Sequence, residues 1–219
     1  MTARNPGERP APLFMRPVIV LGLAALALAG CQRNPLLVKR SICPAIAVPA
    51  YAGDTTLFRD GDTGRNADAS DVVATITDVR GVCTEGTDAL TTQVSYTVVA
   101  RRSDAGAVRS VTLPVFASVV QGGNLLVSKQ LSSVTVQFAA GQVRAEVAGG
   151  TRTRVARSAA LLPPEIQERV SRNRKAGDLD AATDPLSDPE VRAAVRAASF
   201  EVLVGFQLDE AALAYNVTK

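Results

Sequence analysis

Leu90–Arg101, LTTQVSYTVVAR, is the stretch that decides the fold. Leu90, Val94, Tyr96, Val98 and Ala100 fall on one face of an extended chain, and Thr91, Gln93, Ser95, Thr97 and Arg101 on the other. Successive side chains of a β-strand point to opposite faces, so this period of two describes a sheet with one face in a core. Thr92 and Val99 are the two departures from it.

The same alternation recurs on both sides. Val111–Val120 repeats it with Val111, Leu113, Val115, Ala117 and Val119, while Pro114, which has no amide donor, points to a sheet edge or a bulge. Gly122-Gly123-Asn124 turns the chain into Leu125–Lys129, and Val134, Val136 and Phe138 mark another half-buried strand. Ala140-Gly141 leads into Val143, Ala145 and Val147, which reads as a hairpin. Upstream, Asp71–Cys83 places Val72, Ala74 and Ile76 on one face, with Gly81 as a bulge candidate. Before it, Tyr51–Ser70 reads as a loop, and Ile46-Ala47-Val48, flanked by Pro44 and Pro49, as a short edge strand.

After Gly149-Gly150 the composition shifts. Pro164–Arg174 reads as a helix with Ile166 and Val170 on one side, and Lys175–Leu186 as a polar connection. Asp188–Ser199 is a better helix: Pro189 lies in its first turn, Glu190 near its positive end, and Val191, Ala194, Val195 and Ala198 form an apolar stripe. Phe200–Leu208 returns to alternation through Phe200, Val202, Val204, Phe206 and Leu208, and Asp209 is placed to cap a short terminal helix. The expected fold is mainly β: an antiparallel Ig-like β-sandwich with a C-terminal helical excursion. A single domain is expected over residues 43–219, with a helical insertion at about residues 160–199. No internal repeat is apparent.

The N-terminus carries a different signal. Arg4, Arg9 and Arg16 precede an uncharged run from Pro17 to Gly30 that ends in Leu28-Ala29-Gly30-Cys31. A spanning helix needs about 20 apolar residues, whereas runs of about 10–14 are more often signal-peptide cores. An aliphatic residue, two small residues and a cysteine resemble the lipobox of bacterial lipoproteins. The resemblance implies that residues 1–30 are a signal peptide and that Cys31 receives a diacylglycerol. It also implies cleavage before Cys31 and acylation of the new amino group. Gln32, in place of aspartate, implies export to the outer membrane, with the protein on its periplasmic face. The competing reading is ordinary signal cleavage after Ala27-Leu28-Ala29, which leaves Cys31 as an unpaired thiol. Met15 is an alternative start that leaves the mature chain unchanged. Residues 31–42 are then a tether, in which Arg33, Lys39 and Arg40 are solvated or meet an anionic surface.

With Cys31 lipidated, Cys43 and Cys83 remain, an even number in an oxidising compartment and without a CxxC motif. A structural disulfide is the expectation, pinning the first strand to its neighbour. The 219-residue chain contains no histidine, which removes Ser-His-Asp and Cys-His catalysis and nearly all zinc sites. It contains no tryptophan and three tyrosines, too few for a sugar groove of stacked rings. Losing residues 1–30 removes three of the 24 Lys+Arg and one of the 21 Asp+Glu, so 21 face 20 and the net charge falls from +3 to near +1. The basic balance is therefore a poor argument for a nucleic-acid partner.

Two constellations remain. Asp60-Gly61-Asp62-Thr63-Gly64-Arg65-Asn66-Ala67-Asp68, with Asp71 beyond, is rich in hard oxygen ligands, but it departs from a calcium loop. Gly64 takes a ligand position, Arg65 stands where glycine belongs, and Asp71 replaces the closing glutamate. A solvated turn-forming loop is the better reading. Arg152 and Arg154 share one strand face, and Arg169, Arg172, Arg174 and Lys175 cluster on or after a helix. These basic groups either touch headgroups or anionic glycans, or keep the surface soluble. No catalytic, cofactor or metal residue is named. The sequence points to a lipid-anchored, non-enzymatic binding or scaffolding module with an envelope protein or glycan as partner. A periplasmic lipid- or glycan-binding protein is the alternative, followed by an envelope-polymer hydrolase.

Overall fold

A computed structural model describes residues 40–59, 65–175 and 177–218. Eight strands carry the sandwich: β1 Ala45–Ala47, β2 Asp54–Phe58, β3 Ser70–Glu85, β4 Ala89–Arg102, β5 Arg109–Gln121, β6 Leu125–Phe138, β7 Arg144–Ala156 and β8 Phe200–Phe206. Helices α1 Arg157–Ala160, α2 Pro164–Ser171 and α3 Pro189–Ala197 lie between β7 and β8, and α4 Glu210–Thr218 follows. The strands form two four-stranded sheets, ordered β1-β8-β5-β6 and β2-β3-β4-β7. The architecture is the expected sandwich with its C-terminal helices. Every pairing is antiparallel except β1 with β8, where Ile46 stands opposite Val202 in parallel register.

Alternation places the core. In β4, Leu90, Val94, Tyr96, Val98 and Ala100 are buried as their spacing requires, and Thr92 is buried with them. Val72, Ala74 and Ile76 of β3 meet Val111, Leu113 and Val115 of β5 and Phe206 of β8 in the first half of the interior. Leu90, Val119, Val155, Ala160, Phe200, Val202 and Val204 fill the second half. A helical cluster follows, made by Leu162, Ile166 and Val170 with Val191 and Ala198. Asp188 caps α3, its Oδ1 accepting from the amides of Glu190 at 2.8 Å and Val191 at 3.3 Å. A second, smaller compact unit contributes residues 173–175 and 177–181 to the described chain, joined internally by Arg174 Nε to Asp180 Oδ2 at 3.2 Å.

Six local expectations are corrected. The stretch Tyr51–Ser70 is not all loop. Asp54–Phe58 is β2, paired to β3, with Thr55 and Thr56 buried. Leu57 packs against the core, so Thr55 shares its inward face and Thr56 is buried on the opposite one; burial on both faces, with threonines at both positions, leaves no apolar alternation to mark a strand. The bulge in β3 lies between Thr77 and Arg80, where Asp78 takes a φ of 51°, while Gly81 stays in register opposite Val94. What Gly81 supplies is space: a Cβ there would stand 1.7 Å from Cδ1 of Ile46, so the bare backbone admits β1. Leu125–Lys129 and Val134–Phe138 are one continuous strand, β6.

The turn after Phe138 does not make a hairpin. It carries the chain from one sheet to the other, so that β7 pairs with β4. Gly149 and Gly150 lie inside β7 rather than at a boundary, and the Tyr96 ring occupies the space above Gly149. Finally, β5 is an interior strand despite Pro114. The β8 ladder begins at Val115 opposite Phe206, and Pro114 only accepts, from the Gln207 amide at 2.9 Å. The missing donor therefore falls where that ladder stops.

Cys43 and Cys83 are bonded, with Cα atoms 6.1 Å apart, inside the range a disulfide spans. The bond joins β1 of one sheet to β3 of the other, not to its sheet neighbour. It closes a 40-residue separation, worth about 4 kcal/mol in the chain-entropy model. Apart from Cys31, the denatured, unreduced protein should show no reactive thiol, with two appearing on reduction. Cys43→Ser with Cys83→Ser should lower the melting temperature by roughly 10 °C, at about 2–4 °C per kcal/mol for a domain of this size.

Candidate functional site

A cleft lies at the end of the sandwich where β3 and β5 begin. It has a volume of about 520 Å³ and is walled by Thr55–Phe58 of β2, by Gln207–Asp209 after β8 and by Arg59, Arg65, Asp71 and Arg109. The topology makes it. β2 ends beside the start of β3, β5 starts on the facing sheet, and the chain leaving β8 crosses between them. Asp209 then caps α4 by accepting from the Ala212 amide at 2.6 Å.

The cations of the cleft are held in place. Arg109 grips Asp71 with both arms, Nη1 to Oδ1 at 2.8 Å and Nη2 to Oδ2 at 2.5 Å. The hydrogen bonds from Arg109 hold the Asp71 carboxyl below the usual carboxylate range, and the same bonds raise Arg109. Arg59 donates to the Ser70 carbonyl at 3.1 Å. Arg65 faces Asp209 at 3.5 Å and stands 5.7 Å from the centre of the Phe58 ring, which meets Tyr215 of α4 edge-on. Asn216 Nδ2 donates to the carbonyls of Tyr51 and Asp54, both at 2.8 Å, and locks α4 against the start of β2.

This arrangement suits recognition of a polar or anionic group: three guanidinium groups line it with two threonines. Asp71 is ionised and engaged, so it offers no proton near neutral pH and is lost as a calcium ligand. Asp60–Gly64, the first half of the acidic loop, lie outside the described residues. Among the described residues no three His, Cys, Asp or Glu side chains come together as metal ligands. Asn216 of the Asn-Val-Thr triplet is 4% exposed and its amide is spent on two carbonyls, so it does not present a glycosylation site.

The other basic residues separate into structural roles. Arg169 pairs with Asp188 and Glu190, tying α2 to α3. Arg152 and Arg154 are exposed on one face of β7. Arg40, expected in a solvated tether, instead donates Nη1 to the Ala160 carbonyl at 2.9 Å and Nη2 to the Ala198 carbonyl, where α1 and α3 end. Burial lowers its pKa. The expected strand stops at Arg101, and no sequence pattern singles out Arg102. It is buried and donates to the carbonyls of Gln142, Ala107, Gly106 and Ala139 over the Phe138 ring. Cys31 lies outside the described residues. Among those described, no helix is long and apolar enough to cross a membrane.

No family model matches the chain, and no match is found among curated proteins or among solved structures.

The Asp71–Arg109 pair sets a pH dependence. Asp71 has a folded-state pKa below its unfolded value, so the pair's contribution is full above the unfolded value of about 3.9 and is lost as pH falls through the folded one. Asp71→Asn should lower the neutral melting temperature by about 2–4 °C, as expected for roughly 1 kcal/mol. The melting curves of the two proteins should converge as pH falls below the folded-state pKa of Asp71. A constant gap from pH 7 to pH 2 would show that the charge is not what the pair contributes.

Proposed function

We propose that the protein is a lipid-anchored, non-enzymatic binding or scaffolding module at the periplasmic face of the outer membrane. Cys31, acylated after cleavage, holds it there, and the arginine-lined cleft receives an anionic or polar group of an envelope partner. The observation that carries the reading is the position of Arg40. The chain coming from Cys31 enters the sandwich at the end formed by Ala160 and Ala198, whereas the cleft lies where β3 and β5 begin. β5 is 13 residues long, about 43 Å at 3.3 Å per residue, so an anchor at one end leaves the other reaching away from the bilayer. The Cys43–Cys83 bond supports an oxidising compartment.

The absence of histidine from the sequence and the engaged state of Asp71 favour binding over hydrolysis. A polar cleft favours an anionic glycan or a protein carboxylate over a lipid chain.

Labelled fatty acid should be incorporated into the wild-type protein and not into Cys31→Ser, which should accumulate as uncleaved or mislocalised precursor. Several acyl chains attach a protein lastingly, where one binds marginally at about 0.8 kcal/mol per buried methylene. Wild-type protein recovered in the soluble fraction without detergent would overturn the anchor.

A further inference from the structure

The surface that invites explanation is the first half of β6. Leu125, Leu126, Val127 and Leu131 are 58%, 56%, 51% and 67% exposed, in a strand whose second half buries Val134, Val136 and Phe138. A register shift opposite Val119 and Val120 leaves Val127 unpaired and pushes the tip outward. Aliphatic side chains gathered at one tip mark a contact surface rather than chance exposure.

Its position says what it contacts. The turn at Gly122 and Gly123 has positive φ values of 62° and 80°, and it is bolted to the end of α3. The Gly122 amide donates to the Ser199 carbonyl at 2.9 Å, Gln121 Nε2 to the Ala197 carbonyl at 2.7 Å, and Arg196 Nε to the Gly122 carbonyl at 2.7 Å. Arg40 donates to the Ala198 carbonyl, the residue between these two. The aliphatic tip and the entry of the chain from Cys31 are therefore fixed to three consecutive residues. Nine residue steps separate Cys31 from Arg40, at most roughly 30 Å when fully extended. Arg196, bound to the Gly122 carbonyl, and Lys129 of β6, 5.0 Å from the centre of the Phe116 ring, add positive charge nearby.

We infer that this end of the sandwich rests on the bilayer, with Leu125, Leu126 and Val127 inserted shallowly as a second lipid contact beside the acyl anchor. The inference builds on the lipid-anchored reading. Aliphatic tips flanked by Lys and Arg bind an anionic interface by shallow burial plus charge attraction. The insertion stops at side-chain depth, because the outer edge of β6 carries backbone polar groups that hydrocarbon would leave unpaired. Lys129, in the middle of the run, disfavours the other occupant of such an edge, a second copy adding its own strand.

The chain has no tryptophan, so Leu126→Trp is a single-Trp reporter. Val108→Trp is the control: Val108 is 72% exposed just before β5, at the opposite end of that strand from Gln121. Both full-length proteins, with unchanged melting curves, are combined with phosphatidylglycerol vesicles with and without brominated acyl chains. Fatty-acid incorporation is measured on the same preparations. Leu126→Trp should shift to the blue and be quenched about twofold or more by the brominated lipid, as interfacial burial requires, and Val108→Trp should do neither. Vesicle-bound protein with an unquenched Leu126→Trp overturns the contact and leaves the anchor standing, as quenching of both reporters also would. Failure to bind vesicles overturns the contact too. A blue shift that grows with protein concentration and needs no vesicle assigns the surface to a second copy instead. Quenching of Leu126→Trp without incorporated fatty acid overturns the anchor and keeps the contact.

Discussion

Insertion of β8 between β1 and β5 is the constraint on which the rest of the structure depends. Phe200, Val202, Val204 and Phe206 are all buried, and each such side chain contributes about 1.5–3 kcal/mol when taken from water into the core. Among the described residues β1 ladders with β8 alone, so without β8 the Cys83 bond would tie Cys43 to β3 but no backbone pairing would place the entry of the chain. The same strand spans both halves of the interior: Phe206 belongs to the half near the cleft, and Phe200, Val202 and Val204 to the half near the helices. One short segment close to the C-terminus thus closes a sheet whose other strands precede it by at least 60 residues, counting from Phe138 to Phe200.

Arginines satisfy backbone carbonyls at both ends of the sandwich, beside the apolar packing of the helices at one of them. Arg102 satisfies four carbonyls of the loops that join β4 to β5 and β6 to β7. Arg40 does the same for two helix ends, and Arg109 joins the starts of β3 and β5 through Asp71. A buried guanidinium is tolerable because its planar fork of five donors finds acceptors already aligned, whereas an unpaired one would carry the full desolvation penalty. These arginines hold the fold, so the basic composition of the chain overstates the charge it has free for partners.

The two ends consequently differ in character. One gathers the entry of the chain, the inter-sheet disulfide and an aliphatic tip with lysine and arginine around it. The other gathers a cleft with three guanidinium groups, fixed by Asp71, Asp209 and the ring of Phe58. The aliphatic tip and the polar cleft lie toward opposite ends of β5, the disposition that the proposed bilayer contact requires.

By itself the sequence determined what depends on local periodicity and local chemistry. The period of two named the buried face of β3, β4, β5 and β8. Asp188 before Pro189 named the start of α3, and an even cysteine pair named the bond. Nothing in those patterns contained the pairing of strands distant in sequence. Whether Val143–Val147 returns along β6 or crosses to β4, and whether Cys43 meets its own sheet or the facing one, depends on contacts between elements distant in sequence: β6 stands at the edge of its sheet, so an open edge alone does not choose β4. β2 stayed hidden because it is buried on both faces and carries threonines at positions 55 and 56, which leaves no apolar alternation. The cleft stayed hidden for a different reason, the distance in sequence between its residues. Arg59, Arg65 and Arg109 are up to 50 residues apart, and only the closing of two sheets against each other brings them to one end.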